Sequence, residues 1–477
     1  MASRSTSRRR SSRSQPVAKL GISFDELAIA GFVLLAVLLG GASAGGFLGN
    51  AVLQMVAALL ITWGIVSLDW TGDRKAERVP LMFALALVGY MLVQLVPLPP
   101  AIWTLLPGRA GVVEGFVSLG IAPLPWMPIS LVPSRTLAGI VSMLPPIAAL
   151  VMVLRCGRNT MPIVLWSLFA VAIASVLIGL GQLSGGSGSP LYFYENTNFG
   201  LAVGFFANSN HLATLMLIVL PLVAGAGANA RIGGDETGAA TIAWIAVPAV
   251  ALLALLGLLV AGSLAGYLLA PIALAAGYVI FGKAYSRRVR RWMIPGTLAV
   301  VALAVAIVVF SPSSLDLGST NLGTEGMSRG HIWPITLSAM PEMLPFGSGY
   351  GSFDAVFRQF EDPATIGPVH ANHAHSDLFE TVLEGGVVSA VLLLLFLSWY
   401  VRRTWTLWMK TSPRDPINCA ASVSVGLVLL HSLVDYPLRT AAIAVPFALC
   451  CGLMARAPRS ATANIAAEAP SGKHLSV

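Results

Sequence analysis

The sequence predicts an all-α, polytopic membrane protein, and its charge content, its hydropathy and the length of its apolar segments support this class. Of the 477 residues, 56% are hydrophobic and 10% are charged, whereas an ordinary soluble domain has roughly 25% charged residues. The mean hydropathy is +0.79. Apolar segments of about 20 residues, long enough to cross a bilayer as a helix, recur along the chain. A β-barrel would show shorter segments of alternating hydrophobicity, so we predict a transmembrane bundle of about 12 helical spans.

The predicted spans lie on both sides of one long polar segment. Nine spans precede it and three follow it, near residues 27–45, 51–69, 81–98, 136–154, 161–183, 204–226, 242–261, 263–282, 293–311, 386–401, 416–434 and 438–455. The chain therefore divides into five parts: a basic head, spans 1–9, a long loop, spans 10–12 and a tail, over residues 1–26, 27–311, 312–385, 386–455 and 456–477. The head is rich in Arg and Ser and is predicted to be disordered.

The basic residues predict the orientation. If the N-terminus is cytoplasmic, the inner segments contain 24 of the Lys and Arg residues and the outer segments contain five. Cytoplasmic segments of membrane proteins carry such an excess of positive charge. Both termini are therefore predicted to be cytoplasmic and the 312–385 loop to lie outside. Because topology accounts for the net charge of +8, no nucleic acid is expected as a partner.

The 312–385 loop is predicted to fold. Loops longer than about 12–15 residues without structure are uncommon unless they are functional or disordered. This loop has helical periodicity and contains four of the seven histidines. Phe353, Val356, Phe357 and Phe360 follow the spacing of one helical face, which indicates packing against another helix or the membrane surface. We expect a large helical loop between spans 9 and 10.

His375 is the first candidate catalytic residue. The polar segment that contains it becomes helically periodic and leads into span 10, so His375 should lie at a helix start. At helical spacing it shares a face with Phe379, Val382 and Gly386. Gly386, with Ser389 nearby, would let a neighbouring helix approach closely and fix the position of the imidazole. An imidazole in a fixed position is a common proton acceptor in catalysis.

Arg329 is the second candidate, because it is one of only five basic residues on the predicted outer side. Its planar guanidinium suits the binding of a diphosphate. The alternative is a salt bridge to Asp377, Glu380 or another carboxylate of the loop, as is common for surface charges.

Metal binding is an alternative role for the histidines of this loop. His370, His373 and His375 are closely spaced, and Asp377 and Glu380 follow. The chain has no His-Glu-x-x-His motif and no Cys pair of zinc-site spacing. We therefore predict no metal site.

Several segments resemble the O-antigen ligase/polymerase family. They are Arg329-Gly-His-Ile-Trp333, Pro345-Phe-Gly-Ser-Gly-Tyr-Gly351, and His375-Ser376 followed nine residues later by Gly386. The family's histidine motif ends in a small residue or Tyr, and Ser389 is at that position. Two further segments are similar to the family's Asn-x-Asn segment and to a late feature of its polymerase-like members: Phe205-Phe-Ala-Asn-Ser-Asn-His211 and His431-Ser-Leu-Val-Asp-Tyr-Pro-Leu-Arg439.

The resemblance implies an integral-membrane glycosyltransferase of the bacterial inner membrane, independent of metal and cofactor. Such an enzyme moves a glycan off a polyprenyl (undecaprenyl) diphosphate on the periplasmic face. The implied partners are this lipid-linked glycan, membrane lipid, and chain-length regulator and export proteins.

One position departs from the family pattern. Family ligases have a further Arg in a Ser-Arg pair at the outer end of a mid-chain helix, where this chain reads Gly262-Ser-Leu-Ala265. Arg439, at another predicted outer helix end, is the candidate replacement as a diphosphate ligand.

The predicted site therefore has two catalytic residues, His375 and Arg329. Its predicted substrate-binding residues are Arg439, Asn208, Asn210, His211, His373 and Trp333. For Asn208, Asn210 and His211 the alternative is hydrogen bonding between helices. For His431 and Asp435, four residues apart, a structural hydrogen bond is favoured over a place in the active cavity.

The predicted function is polymerisation of lipid-linked repeat units into a cell-surface polysaccharide, an exopolysaccharide or O-antigen, by inverting glycosyl transfer. The alternative within the class is a ligase that transfers the glycan to lipid A core or to protein. A transporter or flippase for lipid-linked oligosaccharide is the alternative from another class, but it should place its polar residues near the middle of the membrane. A purely structural scaffold leaves Arg329 and His375 unexplained.

Overall fold

The computed structural model describes residues 23–43, 47–67, 75–156, 161–232, 238–281, 329–363, 371–412 and 414–456, with isolated helical residues between 291 and 306. Several predictions fall outside these residues: most of the head, almost all of the ninth span, the first part of the long loop, His370 and the tail after residue 456. Those predictions stay untested.

The described residues are 76% helical, and they form no strand. The helices are α1 (Phe24–Leu39), α2 (Leu48–Ser67), α3 (Val79–Val93), α4 (Pro100–Trp103), α5 (Ala110–Ser118), α6 (Pro133–Ser142), α7 (Leu144–Arg155), α8 (Met161–Gly185), α9 (Ser209–Ile232), α10 (Gly238–Ala261), α11 (Leu264–Phe281), α12 (Arg329–Met343), α13 (Phe353–Phe360), α14 (Asp377–Trp405), α15 (Pro416–His431) and α16 (Ala441–Ala455). The all-α class predicted from the sequence is confirmed.

Six helical segments of the described chain are long and apolar enough to cross a membrane: Leu48–Val66, Ala76–Val93, Pro133–Arg155, Met161–Gly188, Ser209–Ala230 and Asp377–Lys410. Four shorter apolar helices accompany them: Ile245–Ala261, Leu264–Ile280, Pro416–His431 and Ala441–Ala455. These helices and the composition indicate a membrane protein. The count of about 12 spans and the orientation remain predictions.

The helix α9 is the centre of the bundle, and nearly all of its residues are buried. It packs against α8, α10, α11 and α15. Within this packing, Ser424 Oγ of α15 donates a hydrogen bond of 2.8 Å to the Ile218 carbonyl oxygen of α9. Because α9 begins at Ser209, the segment with Asn208 and His211 lies where the central helix starts.

The peripheral helices α2, α3 and α14 expose large apolar side chains. Leu59 and Val66 of α2, Leu85 of α3 and Leu394 of α14 are each more than half exposed. A soluble protein rarely exposes a continuous apolar surface of this kind. These faces suit contact with lipid hydrocarbon.

The helix α14 is broken at Gly386, which has φ 58° and ψ −151°. At the break the loop before α13 replaces the helical hydrogen bonds: Gly349 N–H donates to Glu384 O, and Val387 N–H donates to Pro345 O, both at 2.9 Å. A Cβ on Gly386 would collide with the Pro345 carbonyl oxygen. The expectation that Gly386 admits a neighbouring helix is therefore wrong. It admits a loop, because only a residue without Cβ allows both the positive φ and this close approach.

The helices α12, α13 and the start of α14 enclose an apolar cluster of their own. Its buried members are Ile332, Ala339, Met343, Phe353, Val356, Phe357, Ala371, Ala374 and Leu383. The predicted stripe of α13 lies in or against this cluster, so its interpretation as a helix-packing face is confirmed. The described part of the predicted loop is thus helical and packed.

Candidate active site

His375 directly precedes the N-cap of α14. Ser376 is the cap residue, and its Oγ accepts a hydrogen bond from Phe379 N–H at 3.4 Å. His375 itself has a left-handed backbone with φ 49°, a conformation that is uncommon for residues other than Gly and that marks functional sites more often than average. The predicted position of His375 at a helix start is confirmed.

His375 and Arg329 meet at one buried carboxylate, that of Asp435. His375 Nδ1 lies 3.6 Å from Asp435 Oδ1, and Arg329 Nη2 lies 3.9 Å from Asp435 Oδ2. Arg329 Nε also donates a 2.7 Å hydrogen bond to the Val434 carbonyl oxygen. The structure therefore brings the two predicted catalytic residues together. We call His375, Arg329 and Asp435 the His375 group.

The Asp435 side chain is fully buried. Burial alone would raise its pKa, but the hydrogen-bonding interaction with His375 and the electrostatic interactions with the His211, His375 and His431 rings outweigh burial and hold the pKa well below its usual range. Sequence reasoning gave Asp435 a structural pairing with His431. Instead, His431 Nδ1 lies 2.8 Å from Thr214 Oγ1, and Asp435 faces the candidate catalytic residues.

Three imidazoles surround the ring of Tyr436. Their ring centroids lie 4.3 Å (His373), 4.9 Å (His375) and 5.2 Å (His211) from that of Tyr436. Burial and the neighbouring charge of Asp435 raise the pKa of the Tyr436 phenol, while a hydrogen bond with the Asn208 side chain lowers it less strongly. Tyr436 therefore stays an uncharged spacer between the imidazoles. No sequence pattern indicated this role.

A second set of charged residues lies near His373, whose ring packs against Tyr436. His373 Nδ1 lies 2.9 Å from Glu380 Oε1. The Arg439 guanidinium approaches three carboxylates, at 2.9 Å from Glu384, 3.4 Å from Glu380 and 3.5 Å from Asp377. We call these five residues the His373 group. The sequence did not indicate that Arg439 would be surrounded by carboxylates.

The glycine-rich loop before α13 holds one of these carboxylates. Glu384 Oε1 accepts hydrogen bonds from Gly351 N–H at 2.8 Å and from Phe353 N–H at 3.2 Å. Gly347, Gly349 and Gly351 all have positive φ, so the chain turns repeatedly here. Its backbone N–H groups face an anion, and that anion is a side chain of the protein.

The other predicted substrate-binding residues lie in two places, at the start of α9 and against the segment before α14. Asn208 lies at the start of the central helix, and its Oδ1 accepts a hydrogen bond from Asn210 N–H at 2.9 Å. Trp333 Nε1 donates a 3.0 Å hydrogen bond to the Ala374 carbonyl oxygen, and its ring packs edge-on against Phe379. Trp333 therefore supports the segment that carries His373 and His375.

A cavity of about 1830 Å³ joins this polar region to the bundle. Its polar end includes Asn208, His211, His373, His375, Tyr436 and Arg439, while Asn210, Arg329 and Trp333 are not among its lining residues. The apolar walls include Phe83, Leu87, Leu137, Leu392, Phe396 and Phe447. Such a cavity can take a ligand with a polar head and a long apolar chain.

In the part of the chain that the structure describes, no three His, Cys, Asp or Glu side chains converge as metal ligands. At the position of the departure from the family pattern, Ser263 Oγ accepts a 3.1 Å hydrogen bond from Gly266 N–H at the start of α11. Ser263 therefore caps a helix there.

Comparison with known proteins finds a similarity to the O-antigen ligase family in part of the chain. Its family model matches residues 249–394, a segment that contains Arg329 and His375 and ends before Asp435. No curated protein matches the chain. The match confirms the resemblance inferred from the sequence and supports an O-antigen ligase or polymerase type of function in general.

Proposed function

We propose, with the match of the O-antigen ligase family model to residues 249–394 as the premise, that this chain polymerises lipid-linked oligosaccharide repeat units into a cell-surface polysaccharide. The donor is a glycan on polyprenyl diphosphate, and the reaction takes place on the periplasmic face of the bacterial inner membrane. The observation that carries the proposal is that His375 and Arg329 both lie within 4 Å of the Asp435 carboxylate and that His375 lines an amphiphilic cavity.

The donor would bind with its isoprenoid against the apolar walls of the cavity. The Arg329 side chain is 43% exposed, so its guanidinium retains nitrogen atoms that can bind the diphosphate. A guanidinium is suited to this because it is always charged and presents planar pairs of donors. Arg329 would stabilise the charge that develops as the diphosphate departs, which is commonly the largest contribution to such catalysis.

His375 would act as the general base. Its Nδ1 faces Asp435, so Nδ1 carries the hydrogen and Nε2 keeps a lone pair. The acceptor hydroxyl oxygen attacks C1 of the donor sugar as Nε2 takes its proton. The C1–oxygen bond to the diphosphate breaks, the diphosphate leaves with the electron pair, and the configuration at C1 inverts. A base of this kind contributes about 10²–10⁴-fold.

Asp435 would orient His375 and stabilise the imidazolium during transfer, as the buried carboxylate does in other acid–base dyads. The donor is already activated by its diphosphate, so the proposed reaction needs neither ATP nor a metal. Asn208, His211 and His373 are proposed to contact the glycan, because they line the polar end of the cavity. For Arg439, the proposed binding of a second phosphate would have to compete with three carboxylates.

Polymerase is favoured over ligase by one sequence feature, the resemblance of His431–Arg439 to polymerase-like members. This segment supplies Asp435 and Tyr436, which lie at the centre of the candidate site. Chain-length regulators and export proteins are proposed as partners on the same basis.

The test is to delete the gene, size the surface polysaccharide, and complement with the wild type, His375→Gln or Ser424→Ala. A single repeat unit on the normal anchor supports a polymerase, whereas complete chains left on the lipid carrier indicate a ligase and repeats trapped inside indicate a flippase. We expect His375→Gln to fail and Ser424→Ala, a matched variant at a buried position of α15, to restore long chains. Long chains from a well-expressed His375→Gln would overturn the proposed mechanism.

A further inference from the structure

His431 is a buried histidine that the proposed chemistry does not use. Its Nδ1 lies 2.8 Å from Thr214 Oγ1. The single hydroxyl hydrogen of Thr214 is donated to the Asn210 carbonyl oxygen at 2.8 Å. Thr214 must therefore accept from His431, so Nδ1 of His431 carries the hydrogen and Nε2 presents a lone pair. Within the described residues, that buried Nε2 has no hydrogen-bond partner.

Asp435 presents a second buried acceptor on the same turn. Its backbone N–H donates a 3.0 Å hydrogen bond to the His431 carbonyl oxygen, which keeps the two residues adjacent. Oδ1 faces His375, but Oδ2 receives no hydrogen bond from any described residue. Arg329 Nη2, at 3.9 Å from Oδ2, is too distant for a direct bond. Leaving such acceptors unbonded is costly.

His211 is the third polar group of this region. Its side chain is 1% exposed, and neither ring nitrogen has a partner in the described chain. It interacts electrostatically with Asp435 and packs edge-on against Tyr436. A neutral imidazole offers one N–H donor and one acceptor.

We propose that Asp435, His431 and His211 bind one internal water molecule. The water donates hydrogen bonds to Asp435 Oδ2 and His431 Nε2 and accepts one from a ring N–H of His211. Two acceptors and one donor match the approximately three hydrogen bonds that a buried water makes. The second nitrogen of His211 remains directed to other partners, including the glycan.

The consequence for catalysis rests on the proposed function. The water on Oδ2, together with the 2.8 Å hydrogen bond from Tyr436 N–H to Oδ1, fixes the rotation of the Asp435 carboxylate, so that Oδ1 faces His375 Nδ1 throughout the transfer. His431 then acts as a positioning residue, because it affects His375 only through the water and Asp435. Its loss should lower kcat while the KM for the lipid-linked donor stays unchanged.

The experiment compares three variants of the full chain in lipid nanodiscs, each by an experimental map that resolves ordered water and by steady-state kinetics. His431→Phe removes the acceptor, and His431→Gln supplies a carbonyl oxygen in its place. Ser424→Ala is the control, since Ser424 forms another buried contact from α15 to α9. We expect His431→Phe to lose the water and to lower kcat on the order of 10–100-fold, the usual cost of removing an orienting partner. His431→Gln should retain the water and most of the wild-type kcat. Ser424→Ala should retain the water and the full wild-type kcat.

Two results would overturn the proposal. The first is a wild-type map in which His431 and Asp435 bond directly or no water lies between them. The second is a His431→Phe variant that loses the water and retains the wild-type kcat, which would remove the positioning role. Neither result bears on His375, whereas an active His375→Gln variant would refute the proposed base and leave the water in the map intact.

Discussion

The His375 group and the His373 group each have a histidine that packs against the Tyr436 ring and an arginine near carboxylates, yet the number of carboxylates differs. In the His375 group one arginine faces one carboxylate, and the arginine is 43% exposed. In the His373 group one arginine faces three carboxylates and is 20% exposed. The two groups therefore differ in how many carboxylates share one guanidinium.

This difference indicates that the number of partners determines whether each arginine can bind a further anion, since the residue type is the same. Arg329 contacts a backbone carbonyl and a distant carboxylate, so it can still bind an anion. Arg439 is already bound by the first turns of α14 and joins them to the segment after α15. The His373 group therefore resembles a structural connection, and the His375 group resembles a site with binding capacity to spare.

The largest expected effect separates the two histidines. We expect His375→Gln to lower kcat by about 10²–10⁴-fold, because this change removes the proposed general base. His373→Gln should lower it by about 10-fold or less, because its amide can still bond to Glu380. Turnover of a synthetic lipid-linked repeat by purified protein measures both. Equal losses would remove the functional distinction between the groups.

The second prediction compares how much folding stability the protein loses when each arginine is replaced. Arg439→Leu leaves three buried carboxylates without their counter-charge and should destabilise the fold by about 3–5 kcal/mol. Arg329→Leu should cost about 1 kcal/mol or less, because its ion pair is long and partly solvated. Unfolding in mixed micelles followed by circular dichroism provides the measurement. A stable, inactive Arg439→Leu would instead favour the role in phosphate binding.

The third prediction concerns the loop that holds Glu384 of the His373 group. Gly386→Ala requires a positive φ and moves the Pro345 carbonyl oxygen, so we expect a loss of about 1–3 kcal/mol. Gly89→Ala in α3 is the control, since a Cβ there meets no atom within 4 Å and Ala favours a helix. Thermal melting of both variants should show a lower midpoint for Gly386→Ala only.

The smallest effect is a pH dependence of stability. Because the pKa of Asp435 is held below its usual range, its contribution to stability is present above the unfolded value of about 3.9 and is lost as pH falls toward the folded value. The stability difference between wild type and Asp435→Asn should thus stay constant from neutral pH to about 5 and narrow below about 4 by up to about 1.4 kcal/mol per pH unit. A difference that narrows near neutral pH would contradict an ionised Asp435.

The sequence was sufficient to predict the helical class and the helix start at His375, and to choose His375 and Arg329 as the two candidate residues that the structure brings to one carboxylate. Those predictions rest on local periodicity and on the scarcity of outer arginines. It could not indicate Asp435 as the meeting point, because that contact joins segments 60 residues apart and follows no helical spacing. The partners of Arg439 were hidden for the same reason.

Gly386 shows a different limit of sequence reasoning. Helical periodicity continues through this residue, and a pattern of small side chains is equally typical of a helix interface and of a backbone crossing. Only the coordinates distinguish them, because the hydrogen bonds at the break come from a loop about 35–40 residues earlier in the chain.

The break in α14 also affects biogenesis. The apolar part after Gly386 is long enough to enter the bilayer as a helix, and its first N–H group, that of Val387, finds its acceptor on the loop at Pro345. The turns before Gly386 also bond to this loop, which is synthesised earlier. The candidate site at the start of α14 therefore needs the loop docked at the break before it can take its final shape.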